Sequence, residues 1–292
     1  MNTMNTMNTM NTMNTMDTMN TMNTMNTMNT MDTMNTMDTM DTIDKDREFL
    51  LFSSVGNSYD KALEQRYSDN RNYDIFNVYY CHNSTRYKYI SKFSDKCVKL
   101  QGSKFKNFVR CFKEYDFSKY KYIWIVDDDI EMECNDINTF FELSKKYDVH
   151  IAGPSKCPTG FNTSYYNDYM IQKENCIFRK SPNIEIGVML FNVNILKMLL
   201  TIIEKPLLED KLFCRGIDLM CTEIFSHNCD NFYNFDIVKC RNPYSKEKKY
   251  ASNREYEIYA SHKELVKGWR ELRPLLEKDI INLRNEYDEK YK

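Results

Sequence analysis

Along the first forty-two residues the apolar positions recur every three residues, as fourteen copies of Met-Asn-Thr with Asp in place of Asn at positions 17, 32, 38 and 41. A strand repeats every two residues and an α-helix every 3.6, so these methionines drift around any regular element. Asn and Thr favour turns and local side-chain hydrogen bonds over helix. Segment 1–44 is therefore expected to be a disordered, low-complexity tail. Evenly spaced thioethers also suit a soft metal such as Cu(I), but no Cys or His accompanies them.

From Phe49 the pattern changes to short apolar runs alternating with helical periodicity. FLLFSSVGN (Phe49–Asn57) is an apolar run ending in small residues, and DIFNVYYC (Asp74–Cys81) is a second run rich in β-formers. Phe105, Phe108, Val109 and Phe112 fall at i, i+3, i+4 and i+7, which predicts a helix over 103–115. YIWIV (Tyr122–Val126) is continuously apolar, as a strand covered on both faces must be. Asn135 or Asp136 is expected to cap a helix burying Ile137, Phe140 and Phe141, followed by a strand at Val149–Gly153. Further on, Glu185–Phe191 reads as a strand, and Ile195, Met198, Leu199, Ile202 and Ile203 mark a helix. Ile217, Met220, Cys221, Ile224 and Phe225 mark another helix, before a last strand at Phe235–Cys240. Ser261 and Glu264 form a capping box for a helix over 262–273, and Pro274 interrupts before a second charged helix. This alternation predicts an α/β fold with a mostly parallel central sheet flanked by helices. The chain divides into a tail (1–44), a folded domain (45–250) and a charged helical extension (251–292).

Charge and cysteine content narrow the function classes. Residues 1–44 carry five acids and no base, so the remainder sets forty basic residues against thirty-seven acidic ones. That near-balance gives no electrostatic reason to expect a nucleic-acid partner. The ten cysteines include no Cys-x-x-Cys pair, which fits a reduced compartment better than a zinc or redox site. No run approaches the ~18 apolar residues of a membrane span. The N-terminus lacks the basic start and apolar core of a secretory signal, so a cytoplasmic location is expected. Many Tyr, Phe, Asn, Lys and Ile beside only seven Gly resemble the output of an AT-rich coding sequence, as in large DNA viruses and some protists, the compartment being the host cytoplasm if the source is viral.

The candidate chemistry lies where the central apolar run ends in three aspartates, Asp127, Asp128 and Asp129. Like charges so close repel by about 4 kcal/mol per pair at ~4 Å and an effective dielectric of ~20. Ligands of open α/β sheets sit beyond the carboxyl ends of the strands, where this cluster falls. If the chain stays extended, Asp127 and Asp129 point to one side, their Cβ atoms ~6 to 7 Å apart. Carboxylates so spaced converge on one divalent cation, and hard oxygen donors select Mg²⁺ or Mn²⁺. The plain alternative is a solvated acidic turn.

GSKFKNFVRCF, YKYIWIVDDDIEM and GIDLMCTEIF, in that order, resemble the A-fold (GT-A) glycosyltransferases, and more narrowly the family called domain of unknown function 707. The resemblance covers about Phe49 to Pro243. It implies a sugar transferred from a nucleotide-sugar donor to a glycan or protein acceptor, with Mn²⁺ or Mg²⁺ as cofactor. By position, Asp127 and Asp129 become the metal and diphosphate ligands, with Asp128 near the ribose. Ser54, Gly56 and Asn57 become the nucleotide-facing loop after the first strand, and Lys104 an approach to the phosphates. Asp218, with Glu185 as a weaker candidate, becomes the acceptor base or binder. Many relatives add a late histidine as a metal ligand, whereas this chain reads KCRNPYSKEK there, with Arg241 and Asn242. Of its four histidines, His82 and His150 lie elsewhere, and His227 and His262 lie near that region but off the motif. Two rivals remain: a non-catalytic binding module of the same fold, and a Mg²⁺-dependent phosphatase of the haloacid-dehalogenase type. The latter usually continues its Asp-x-Asp into a small pair, where this chain has Ile130-Glu131.

Overall fold

A computed structural model describes residues 47–57, 60–158, 170–212, 216–225, 232–243 and 273–291. The Met-Asn-Thr repeat, His227, His262 and the Ser261/Glu264 box lie outside them. The chain divides after Asp38, and all described residues belong to the second unit, Thr39–Lys292.

Among the described residues the elements run β1 (Phe49–Val55), α1 (Asp60–Arg66), β2 (Asp74–Tyr79), α2 (Ser84–Ser91), β3 (Lys96–Lys99), α3 (Lys104–Glu114), β4 (Tyr122–Asp127), α4 (Cys134–Lys146), β5 (Ile151–Lys156), β6 (Phe178–Lys180), β7 (Val188–Asn192), α5 (Val193–Leu208), α6 (Ile217–Phe225) and β8 (Phe232–Cys240). A further helix, α7, spans 273–291. The strands form one eight-stranded sheet in the order β3-β2-β1-β4-β7-β5-β8-β6. Pairings β1·β2, β1·β4, β2·β3 and β5·β8 are parallel, whereas β7 runs against β4 and β5, and β6 against β8. The sheet is thus mostly parallel, with two reversed strands.

Register shows why the central runs are apolar throughout. Phe52 pairs with Ile125 and Leu51 with Trp124; Phe52 meets Phe108 of α3, while Trp124 meets Phe140 of α4. Successive side chains point to opposite faces, so α3 covers one face and α4 the other. Trp124 and Phe52 are fully buried, and complete burial of such a side chain contributes about 1.5–3 kcal/mol.

Three expectations need correction. The helix after the aspartates starts at Cys134 with Glu133 as its cap residue, whose side chain makes no capping bond. The exchange of backbone hydrogen bonds between Glu131 and Arg241 fixes the chain just upstream, and the helix starts two or three residues earlier than a cap at Asn135 or Asp136 would start it. The strand expected at Val149–Gly153 spans Ile151–Lys156, because Asp148, at φ 46°, still belongs to the left-handed end of α4. The run expected as a strand from Glu185 begins at Val188; residues 185–188 close a turn in which the Val188 N–H donates to the Glu185 carbonyl at 3.0 Å.

Charged as it is, α7 buries an apolar stripe of Leu276, Ile280, Leu283 and Tyr287. Pro274 sits in its first turn, where a missing N–H costs little. The Tyr287 hydroxyl lies 2.7 Å from His150 Nδ1, and its ring packs on Phe225. Burial pulls the His150 imidazole below its ordinary value of 6.5, partly offset by Asp148. The unfolded chain therefore binds a proton below pH 6.5 that the folded chain refuses, so this contribution is complete above 6.5 and is lost as pH falls through the window beneath it. The melting temperature of the wild type should drop between pH 7 and 5 more steeply than that of His150→Gln, and parallel slopes would contradict the assignment.

Candidate functional site at the carboxyl edge of the sheet

The carboxyl ends of β1, β4 and β5 and the start of β7 lie along one edge of the sheet, and the candidate residues gather there. Ser54 of β1 pairs in register with Asp127 of β4. The Ser54 hydroxyl accepts a hydrogen bond from Asn107 Nδ2 at 3.2 Å. β4 ends at Asp127, and the chain turns at Asp128 and Asp129 instead of continuing extended. The alternation that would set Asp127 and Asp129 side by side therefore does not apply, and their placement depends on the turn.

Each acid of the turn has its own surroundings. Lys104 Nζ donates to Asp127 Oδ1 at 2.6 Å and to the Ile186 carbonyl at 2.8 Å. Asp128 Oδ2 accepts the Gly56 N–H at 2.9 Å. Burial, then the charge of Asp129, pushes the Asp128 carboxyl up to about 7, against the pull of Gly56 and Arg66. Asn57, beside Gly56, accepts from the Tyr79 hydroxyl at 2.6 Å.

Beneath the turn lies Arg66, only 1% exposed, which sequence reading had not singled out. Its Nη2 donates to the carbonyls of Asp127 at 2.7 Å and Ile130 at 2.5 Å. Nε and Nη1 are buried without a hydrogen-bond partner among the described residues. Desolvation lowers the affinity of this guanidinium for its proton, and the charges of Asp128 and Asp129 raise it again. A buried cation thus stands under the acidic turn and partly answers its self-repulsion.

The opposite wall is the 185–188 turn. The Gly187 carbonyl accepts the Asp127 N–H at 2.9 Å. A Cβ on residue 187 would stand 2.8 Å from Asp127 Oδ2 and 3.4 Å from Glu185 Oε1, so glycine here leaves room for two carboxylates. Glu185 Oε2 forms a 2.5 Å ion pair with Lys156, 1% exposed at the end of β5 and likewise unanticipated. Asp218, in the first turn of α6, accepts the Gly216 N–H at 3.2 Å. Burial, with a smaller contribution from Glu185, raises its carboxyl above the ordinary carboxylate range. A bond from Thr222 to Asn183 at 3.1 Å ties α6 to the segment leading into the turn.

Arg241, in the KCRNPYSKEK segment, pairs with Glu131 at 3.2 Å, a carboxylate also held by Lys61 at 2.7 Å. Among the described residues no group of three or more His, Cys, Asp or Glu side chains is arranged to hold a metal ion. No described helix is long and apolar enough to cross a membrane.

No family model and no curated protein matches the chain. Similar solved structures include S. aureus TarS 1–349 (10% identity, TM-score 0.46, covering 67% of this chain and 60% of that one). GalNAc-T7 with UDP, GalNAc and Mn²⁺ is similar at 11% identity and a TM-score of 0.48, over 67% of this chain and 43% of that one. TarS 1–349 in complex with UDP-GlcNAc gives 9% identity and a TM-score of 0.42, over 70% and 60%. The chain thus spans 60% or less of each of these three solved structures.

Proposed function

We propose that the chain is a glycosyltransferase of the GT-A type, using a nucleotide-sugar donor and a divalent ion, Mn²⁺ or Mg²⁺. The observation that carries this reading is Asp127 at the carboxyl end of the central strand, with one oxygen on Lys104 and the other over Gly187 beside Glu185. The narrower likeness to domain of unknown function 707 rests on the three segments that bear Lys104, the aspartates and Asp218.

The donor set suits a hard ion. Carboxylate oxygens line the rim, and the space that a Cβ at 187 would fill lies against Asp127 Oδ2. Asp127 and Asp129 would hold the ion, whose remaining positions suit phosphate oxygens and water. When bound, it neutralises charge on the departing nucleoside diphosphate. The chain's own groups do the rest. Lys104 offers an ammonium to the phosphates, Ser54, Gly56 and Asn57 border the nucleotide, and Asp128 stiffens the turn through Gly56. Asp218 takes the acceptor hydroxyl proton, its raised carboxyl lying nearer neutrality where a general base works best. Glu185, fixed by Lys156, orients the acceptor.

Thermal shift of the full chain with Mn²⁺ and a panel of nucleoside diphosphates tests the reading. Stabilisation that requires both ligands and disappears in Asp129→Ala is the expected result. A response to metal and orthophosphate alone would point to a phosphatase, and no response at all to a binding module.

Gly187→Ala probes the wall directly. Gly187 lies outside the positive-φ residues, so alanine meets no backbone strain there; its methyl meets the Asp127 and Glu185 oxygens instead. Nucleotide-sugar turnover should fall by roughly tenfold or more, as small misplacements at a reacting centre do, while the melting temperature changes little. Unchanged turnover would place the reacting groups elsewhere.

A further inference from the structure

Lys104 occupies an unexpected position for a lysine. It is the first residue of α3, where unpaired N–H groups carry partial positive charge and acids are favoured. The first turn of α3 nevertheless has no acid and two lysines, Lys104 and Lys106. Lys106 reaches Asp210 at 2.6 Å. Lys104 is only 7% exposed, and its ammonium is aimed at Asp127 Oδ1 and the Ile186 carbonyl. A desolvated cation at the positive end of a helix disfavours the fold unless an anion answers it. Asp127 is that anion.

The carboxylate assigned above to a divalent ion is therefore already paired, through its Oδ1, with a resident monovalent cation. The same lysine ties β4 to the 185–188 turn, so both walls of the site meet on its head group. An ammonium carries three N–H donors, and the two bonds here account for two of them. An ion arriving alone at Asp127 faces a fixed positive charge that neighbouring structure holds in place. A diphosphate changes that balance, because its oxygens accept the ammonium's N–H groups and release the carboxylate.

We propose that Lys104 makes divalent-ion binding at Asp127 conditional on a nucleoside diphosphate, so that metal and nucleotide enter as one unit. This rests on the donor-site reading above and adds a mode of regulation to it. The device keeps the acidic edge neutralised while the site is empty.

Isothermal titration of the full chain with MnCl₂ alone, UDP or GDP alone, and both together tests it, on the wild type, Lys104→Met and Lys104→Arg. The wild type should bind Mn²⁺ at least about tenfold more tightly with a nucleoside diphosphate than without, a modest share of the repulsion between such charges across a partly solvated gap. Lys104→Met should bind Mn²⁺ alone about tenfold more tightly than the wild type does, with most of the nucleotide dependence gone. Lys104→Arg keeps the charge and should keep the dependence, which guards against a Met variant that folds poorly. Equal Mn²⁺ affinity with and without nucleotide in the wild type, or undiminished dependence in a folded Lys104→Met, would overturn the proposal and leave the donor-site reading standing. Absence of any Mn²⁺ or nucleotide binding in all three proteins would overturn both.

Discussion

Asp127→Asn is expected to remove metal-dependent nucleotide-sugar turnover, by roughly a hundredfold or more, the scale of losing one aimed electrostatic contact in an active site. The substitution keeps the shape and removes the charge. Without that charge a divalent ion loses its central ligand, and the nucleoside diphosphate loses the partner that joint binding requires. The empty protein also changes, because Lys104, 7% exposed, is left without its counter-ion. An uncompensated charge there costs about 1–3 kcal/mol, which lowers the melting temperature by a few degrees in a domain of this size. The two effects separate by experiment. Turnover per folded molecule reports the first, and ligand-free melting the second. Turnover within about threefold of the wild type would remove Asp127 from the chemistry, since an aimed electrostatic contact is worth far more than that.

The parts of the fold that sequence could reveal are those whose signal is local. Phe49–Phe52 and Ile123–Val126 are apolar at every position because α3 and α4 cover opposite faces of the sheet, and burial on both sides leaves no polar position to confuse the reading. The helix over 103–115 was legible for a similar reason, with Ser103 as its cap and Phe105, Phe108 and Val109 buried. The reversed direction of β7 had no such signal, since Val188–Asn192 would look the same in a parallel strand. Nor did the turn at Asp128 and Asp129, which an apolar run followed by acids does not announce.

The site divides along the same line. The aspartates and Gly56 stood out by position after apolar strands. Lys156 and Glu185 are twenty-nine positions apart, and only the folded chain reveals that they meet. Arg66 does carry a local signal, because it falls four and three residues after Ala62 and Leu63 on the buried stripe of α1. A charged residue on an apolar helical face asks where its charge goes. Here it goes under the acidic turn.

That placement makes Arg66 the residue whose loss should cost the fold most among those at the site. Arg66→Met keeps much of the aliphatic stem but leaves the carbonyls of Asp127 and Ile130 without their donor. It also removes the cation whose charge offsets the repulsion between Asp128 and Asp129. Removing one partner of a buried charge cluster costs about 3–5 kcal/mol, so the melting temperature should fall by roughly 10 °C. Arg66→Lys keeps a positive charge on a shorter reach and should recover part of that loss. Asp128→Asn in the Arg66→Met background removes the carboxyl whose charged form Arg66 favours, so the double variant should be less destabilised than the two single changes together imply. Simple additivity would mean that Arg66 acts only on the two carbonyls. An Arg66→Met protein melting within about 2 °C of the wild type, less than one kcal/mol on the same scale, would mean that the acidic turn holds itself together without it.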